Sequence, residues 1–129
     1  MNNIFRYERV LIIDDSNIDR FVAEKMIRQT YFAEHILTMP SAQLALDYLG
    51  VIKNEESLPD IIFLDINMPG MTGFEFLEHY RELPEMIRQQ SIVVLSSTIN
   101  QKDIDKAMAD PYVITFMEKP VSAERLQML

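Results

Sequence analysis

The chain has 129 residues, 48% of them hydrophobic and 25% charged, with a formal net charge of −8 and a pI near 4.7. This is an ordinary globular composition at a length that suits one domain, whose folding buries roughly two-thirds of the unfolded surface. The acidic balance argues against direct nucleic-acid binding and against docking on an anionic membrane, since both need a basic face. The absence of cysteine excludes disulfides and thiolate metal sites.

Residues 1–8 read as a short leader, polar and mixed in charge, followed by one domain over 9–129. They do not resemble a signal peptide, and no apolar run approaches membrane-spanning length, so a cytoplasmic protein is expected. Arg9-Val10-Leu11-Ile12-Ile13 running into Asp14-Asp15 predicts a first strand. Ser16-Asn17 supplies a helix N-cap, and Ile18, Phe21, Val22 and Met26 at helical spacing carry a first helix to about Thr30. His35 to Met39 is a short second strand. Pro40-Ser41 opens a second helix with Leu44, Leu46, Leu49 and Ile52 among its apolar positions, and Asn54 to Ser57 is a polar loop. Ile61-Ile62-Phe63-Leu64 then runs straight into Asp65, which predicts a strand buried on both faces, and Pro69, Gly70 and Gly73 break the chain after it.

Phe74, Phe76, Leu77 and Tyr80 predict a third helix, ended or kinked at Leu83-Pro84. Ser91 to Ser97 is the fourth strand. Asn100 caps a fourth helix with Ile104, Ala107 and Met108 inward, stopped by Asp110-Pro111. Tyr112 to Met117 is the fifth strand, followed by Glu118-Lys119-Pro120, and Ser122 to Leu129 begins a fifth helix. That helix is short against a mean near 11 residues, and both a trimmed chain and a short natural ending stay open. Five strands alternating with five helices predict an α/β fold with a doubly wound parallel sheet and helices on both faces.

The strand ends carry the chemistry. In a sheet of order 2-1-3-4-5 the first and third strands are neighbours at the switch point, about 4.8 Å apart. Asp14, Asp15 and Asp65 then converge. Carboxylates that close oppose one another's ionisation unless a cation lies between them. Oxygen ligands without cysteine favour Mg²⁺ or Mn²⁺, and Mg²⁺ shares its coordination sphere with phosphate oxygens. Ser96 and Lys119 on flanking strand ends complete a cage for an anion beside the metal, which together make a phosphoryl site.

The acid pair Asp14-Asp15, the segment Asp65-Ile-Asn-Met-Pro-Gly-Met-Thr-Gly73, the hydroxyl that ends the fourth strand and Lys119-Pro120 after the fifth stand in an order and spacing that resembles the receiver domain of two-component response regulators. The likeness is to the single-domain type represented by the chemotaxis response regulator, and it covers about residues 8–129. It implies a flavodoxin-like fold and a phosphoacceptor role for Asp65, which would take a phosphoryl group from a histidine kinase or a histidine phosphotransfer protein. It further implies Mg²⁺ held by Asp15, by Asp65, by the backbone carbonyl of Asn67 and, through water, by Asp14. Ser96 and Lys119 would bind phosphoryl oxygens, Lys119-Pro120 would be cis, and Phe116 would be the aromatic that turns inward when Ser96 moves. The face made by helix four, strand five and helix five would then contact a downstream protein. That face would also be the one through which two copies pair as a homodimer, with only a short helix five to contribute.

Phe116 lacks the hydroxyl of the tyrosine common at its position. Thr98 and Asn67 line the approach to the phosphoryl group and are small enough to admit water, so moderate self-dephosphorylation is expected. Ser97, one residue past the matching hydroxyl, reads as structural or as pocket lining. Two alternatives from other classes remain. A haloacid-dehalogenase-type phosphatase would need a general acid two residues after the nucleophile, where this chain has Asn67. A flavin-binding domain would need a Gly, Ser and Thr cradle after the first strand, where the chain offers Asp-Asp-Ser-Asn.

Overall fold

The structure, a computed structural model, describes residues 4–129; residues 1–3 of the expected leader lie outside the described residues. The apolar runs form β1 (Tyr7–Ile13), β2 (Ala33–Met39), β3 (Ile61–Asp65), β4 (Ser91–Ser96) and β5 (Val113–Glu118). All four pairings are parallel, and the sheet order is β2-β1-β3-β4-β5. β3 is buried along its whole length, as a central strand covered on both faces must be. β1 and β2 each start two residues earlier than their patterns suggested. Tyr7 is already paired with Ala33, so Tyr7 and Glu8 of the expected leader lie within the sheet.

The crossovers are α1 (Asn17–Gln29), α2 (Ala42–Gly50), α3 (Gly73–Tyr80), α4 (Gln101–Met108) and α5 (Ala123–Gln127). Residues of α2, α3 and α4 join one core cluster with Leu11, Ile13, Ile62, Leu64 and Val94, while α1 and α5 join the other with Val10, Ile12, Phe63 and Leu95. The period-two alternation of the strands thus divides two cores across one sheet. Each helix opens on a side-chain cap: Ser16, Ser41, Thr72, Asn100 or Ser122 accepts a backbone N–H from the first turn. At Thr72 the cap is reciprocal, because Glu75 accepts the Thr72 N–H in return. The Thr-x-x-Glu spacing of that box is visible in the sequence. α3 ends at Tyr80, before Leu83-Pro84, and a short 3-10 turn at Glu55–Ser57 occupies the expected polar loop.

Several apolar positions face outward, contrary to expectation. In α1 the buried residues are Ala23 and Ile27, whereas Ile18 and Phe21 are exposed. The helix is real, but its buried stripe is rotated from the one the larger side chains suggested. Small Ala23 lets the backbone approach the sheet, and bulk alone did not identify that face. For the same reason Ala107 is the buried residue of α4 while Met108 is exposed, and Ala42 and Ala45 are buried in α2 while Leu44 is not.

Candidate functional site

β1 and β3 lie side by side in register, Ile13 opposite Leu64, so the residues that follow both strands emerge together. Asp14, Asp15 and Asp65 each place a carboxylate oxygen within 4.8 Å of the others. Asp14 and Asp65 are almost wholly buried, at 1% and 3% exposed, while Asp15 is exposed at the rim. Asp65 therefore lies beneath the rim of the site and Asp15 on it.

Lys119 bridges the buried carboxylates. Lys119 Nζ lies 2.6 Å from Asp14 Oδ2, 2.9 Å from Asp19 Oδ2 and 3.4 Å from Asp65 Oδ2. Its backbone N–H donates to the Ser96 carbonyl at 2.8 Å, which fixes the end of β5 beside β4, and the Lys119-Pro120 peptide is cis. Backbone donors hold the carboxylates from the other side. Asn67 N–H donates to Asp65 Oδ1 at 3.1 Å and Ser16 N–H to Asp14 Oδ1 at 2.9 Å. Arg20 donates to the Asp14 carbonyl at 2.6 Å.

The Ser96 hydroxyl is buried and accepts from Asn67 Nδ2 and from Thr98 N–H, both at 3.2 Å. Asn67, Ser97 and Thr98 are exposed and ring the entrance, with Ser97 also on the wall of a cleft beside Lys119. Phe116 is half-buried against the core that contains Val94, its partner across the β4–β5 ladder. Val94 and Ser96 share a face of β4, so Phe116 and Ser96 lie on the same side of the sheet. The exposed histidines, His35 and His79, stand on β2 and α3 and line none of this.

Electrostatics set the character of the pocket. Burial pushes the Asp65 carboxyl from 3.8 up to about 6; the Asn67 N–H and the Lys119 ammonium pull it down, and the Asp14 charge adds to the rise. For Lys119, burial alone would favour the neutral amine. Hydrogen bonds to Asp14 and Asp19 and the charges of Asp65 and Asp14 more than offset it, so its pKa is raised. Three clustered carboxylates against one ammonium leave negative charge uncompensated, two of the carboxylates being out of water. That donor set fits a hard divalent cation such as Mg²⁺.

Sequence reasoning named every member of this cluster but missed Asp19 and Arg20. Asp19 meets Lys119 from a hundred residues away in the chain, and nothing local distinguishes it from an ordinary acid in the first turn of a helix.

The family profile described as Response regulator receiver domain matches residues 10–129. A two-component response regulator of Arabidopsis thaliana is 32% identical over 126 residues, covering 93% of this chain and 66% of the relative. One of Oryza sativa subsp. japonica is 30% identical over 124 residues, covering 94% of this chain and 53% of the relative. The chain thus spans about half to two-thirds of the length of these curated relatives. Among solved structures, a two-component response regulator from Cytophaga hutchinsonii superposes with a TM-score of 0.87 at 31% identity, covering 94% of this chain and 92% of that one. A response regulator receiver protein from Dyadobacter fermentans does so at 0.84 and 36%, covering 94% and 93%.

Proposed function

The chain belongs to the response regulator receiver domain family, and from that premise we propose that residues 9–129 act as the phosphoacceptor module of a two-component system, with Asp65 as the acceptor. The observation that carries this reading is the meeting of three carboxylates within 4.8 Å, with the Lys119 ammonium 3.4 Å from Asp65. A histidine kinase or histidine phosphotransfer protein would present a phosphohistidine. An Asp65 carboxylate oxygen attacks phosphorus, the P–N bond breaks, and the imidazole leaves with the bonding pair, which a proton then caps. Asp65 ends as an acyl phosphate.

Asp15, Asp65 and the Asn67 carbonyl would hold Mg²⁺ or Mn²⁺ directly, and Asp14 would hold it through water. When bound, the metal screens the carboxylates from one another and neutralises charge on the phosphoryl oxygens. Lys119 pairs with one phosphoryl oxygen. Ser96 takes another, giving up the hydrogen bonds that it accepts from Asn67 and Thr98. The space it leaves favours the inward rotamer of Phe116, which reshapes the face of α4, β5 and α5 for a downstream protein. The module catalyses its own phosphorylation and the hydrolysis of its own acyl phosphate, through the entrance that Asn67 and Thr98 line. It works in the cytoplasm and without contacting nucleic acid. A dehalogenase-type phosphatase reading gains no support from the site, where Asn67 donates its amide to Ser96 and has no proton to give a leaving group.

Incubation with acetyl phosphate or phosphoramidate and Mg²⁺, followed by intact mass measurement, should show a gain of one phosphoryl group. The gain should vanish in Asp65→Asn. Labelling that persists in that variant, or no labelling of the wild type, would overturn the assignment.

A further inference from the structure

The Lys119 ammonium has three N–H groups, and three carboxylates meet it: Asp14 at 2.6 Å, Asp19 at 2.9 Å and Asp65 at 3.4 Å. Asp14 and Asp65 belong to the clustered set that fits a divalent cation; Asp19 does not. Asp19 stands in the first turn of α1. Its backbone N–H donates to the Ser16 cap, and an acid there ordinarily faces the helix N-terminus. Here its carboxylate instead crosses to the segment after β5, at the wall of a cleft of about 250 Å³ that Val22, Lys119 and Val121 also line. The ammonium therefore sits closer to Asp19 than to Asp65.

We propose that Asp19 is a positioning residue that tethers Lys119 away from Asp65, so that an incoming phosphoryl group competes with Asp19 for the ammonium. The inference rests on the phosphoacceptor reading above. A cation in the cluster takes up Asp14 and Asp65, which leaves Asp19 as the carboxylate that still neutralises Lys119. Each phosphoryl oxygen that reaches the ammonium must then displace a charge-assisted hydrogen bond already made. The tether also keeps the ammonium from leaning fully on Asp14 and Asp65, where it would oppose the cation. Asp19 thus favours metal binding and opposes anion binding, two effects of opposite sign from one contact.

Asp19→Asn keeps the shape of the side chain and the backbone cap but removes the charge. At saturating Mg²⁺ it should bind beryllofluoride roughly five- to tenfold more tightly, as expected for one partly screened charge at this range. With Mg²⁺ alone it should bind the metal about two- to fivefold more weakly, because the freed ammonium then sits harder on Asp14 and Asp65. In metal-free protein the Lys119 side-chain ¹⁵Nζ resonance should shift. Asp19→Glu, which restores the charge, should return all three readouts towards wild type. Glu24→Gln removes the same charge from the same helix at a residue that pairs with Arg28 and should move none of them. Unchanged or weaker beryllofluoride binding in Asp19→Asn, or an equal gain in Glu24→Gln, overturns the tether. A wild type that takes up neither beryllofluoride nor a phosphoryl group overturns the phosphoacceptor reading and the tether with it; a wild type that takes up both while Asp19→Asn behaves identically overturns the tether alone.

Discussion

Asp65 ends a strand whose other residues are wholly apolar, and only 3% of its surface is exposed. Its carboxyl is pushed up to about 6, chiefly by burial. The stability consequence has a definite sign. Between the unfolded value near 4 and the folded value near 6, the folded chain holds a proton that the unfolded chain releases, so the contribution favours folding at low pH and is lost as pH rises through about 6. Without metal, the protein should lose on the order of 1 kcal/mol of stability from this group between pH 5 and pH 7.5, and Asp65→Asn should lack that component. Urea unfolding with a chelator present checks it. A pH dependence the same in both proteins would show that Asp65 carries no such penalty. Adding Mg²⁺ at pH 7.5 should restore the loss in the wild type by binding the folded state.

At the scale of single elements, the turn between β3 and α3 decides where Asp65 points. Gly70 sits at φ +77°, a left-handed conformation open to glycine without strain. Gly73 opens α3 against the strand end: a Cβ there would stand 2.6 Å from Ile66 Cα and 2.7 Å from the Asp65 carbonyl oxygen. Both are backbone atoms that cannot swing aside. Gly73→Ala should therefore cost about 1–3 kcal/mol and should also weaken Mg²⁺ binding, because relief requires moving α3 or the Asp65 backbone. Gly50, at the end of α2, has nothing within 4 Å of such a Cβ, so Gly50→Ala is a matched control that should leave metal affinity alone. Chemical denaturation and a metal titration on the pair test both halves. The end of α1 shows the converse economy. Tyr31 takes a positive φ of 54° without being glycine, while Phe32 N–H reaches the Ile27 carbonyl and Tyr31 N–H the Arg28 carbonyl. This Schellman closure brings Phe32 and Ile27 into one core cluster.

Across the whole molecule, helices that share one face of the sheet are unequally anchored. α2 buries Ala42, Ala45, Leu46 and Leu49, whereas α4 buries only Ala107. A helix with so little apolar burial opens at lower free energy than the core elements. Native-state hydrogen exchange should find weaker protection over Gln101–Met108 than over α2 or the carboxyl half of α1. Equal protection would mean that α4 opens only with the whole domain. Beryllofluoride with Mg²⁺ should change protection at α4 and β5 more than at α2, since Phe116 packs on the α4 side of the sheet.

Strand order, the alternation of helices and the convergence of Asp14, Asp15, Asp65, Ser96 and Lys119 were all legible in the chain. Buried parallel strands read as unbroken apolar runs, and a polar residue that ends such a run can only lie at the carboxyl edge of the sheet. The outward turn of Ile18, Phe21, Leu44 and Met108 was not legible, because which stripe of a helix is buried depends on how closely its backbone approaches the sheet, and small residues such as Ala23 and Ala107 permit that approach. Nor could local pattern reveal Asp19 reaching Lys119. That contact exists only because right-handed crossovers bring the start of α1 beside the end of β5, and electrostatics between residues so distant in sequence acts only once the fold has closed the distance.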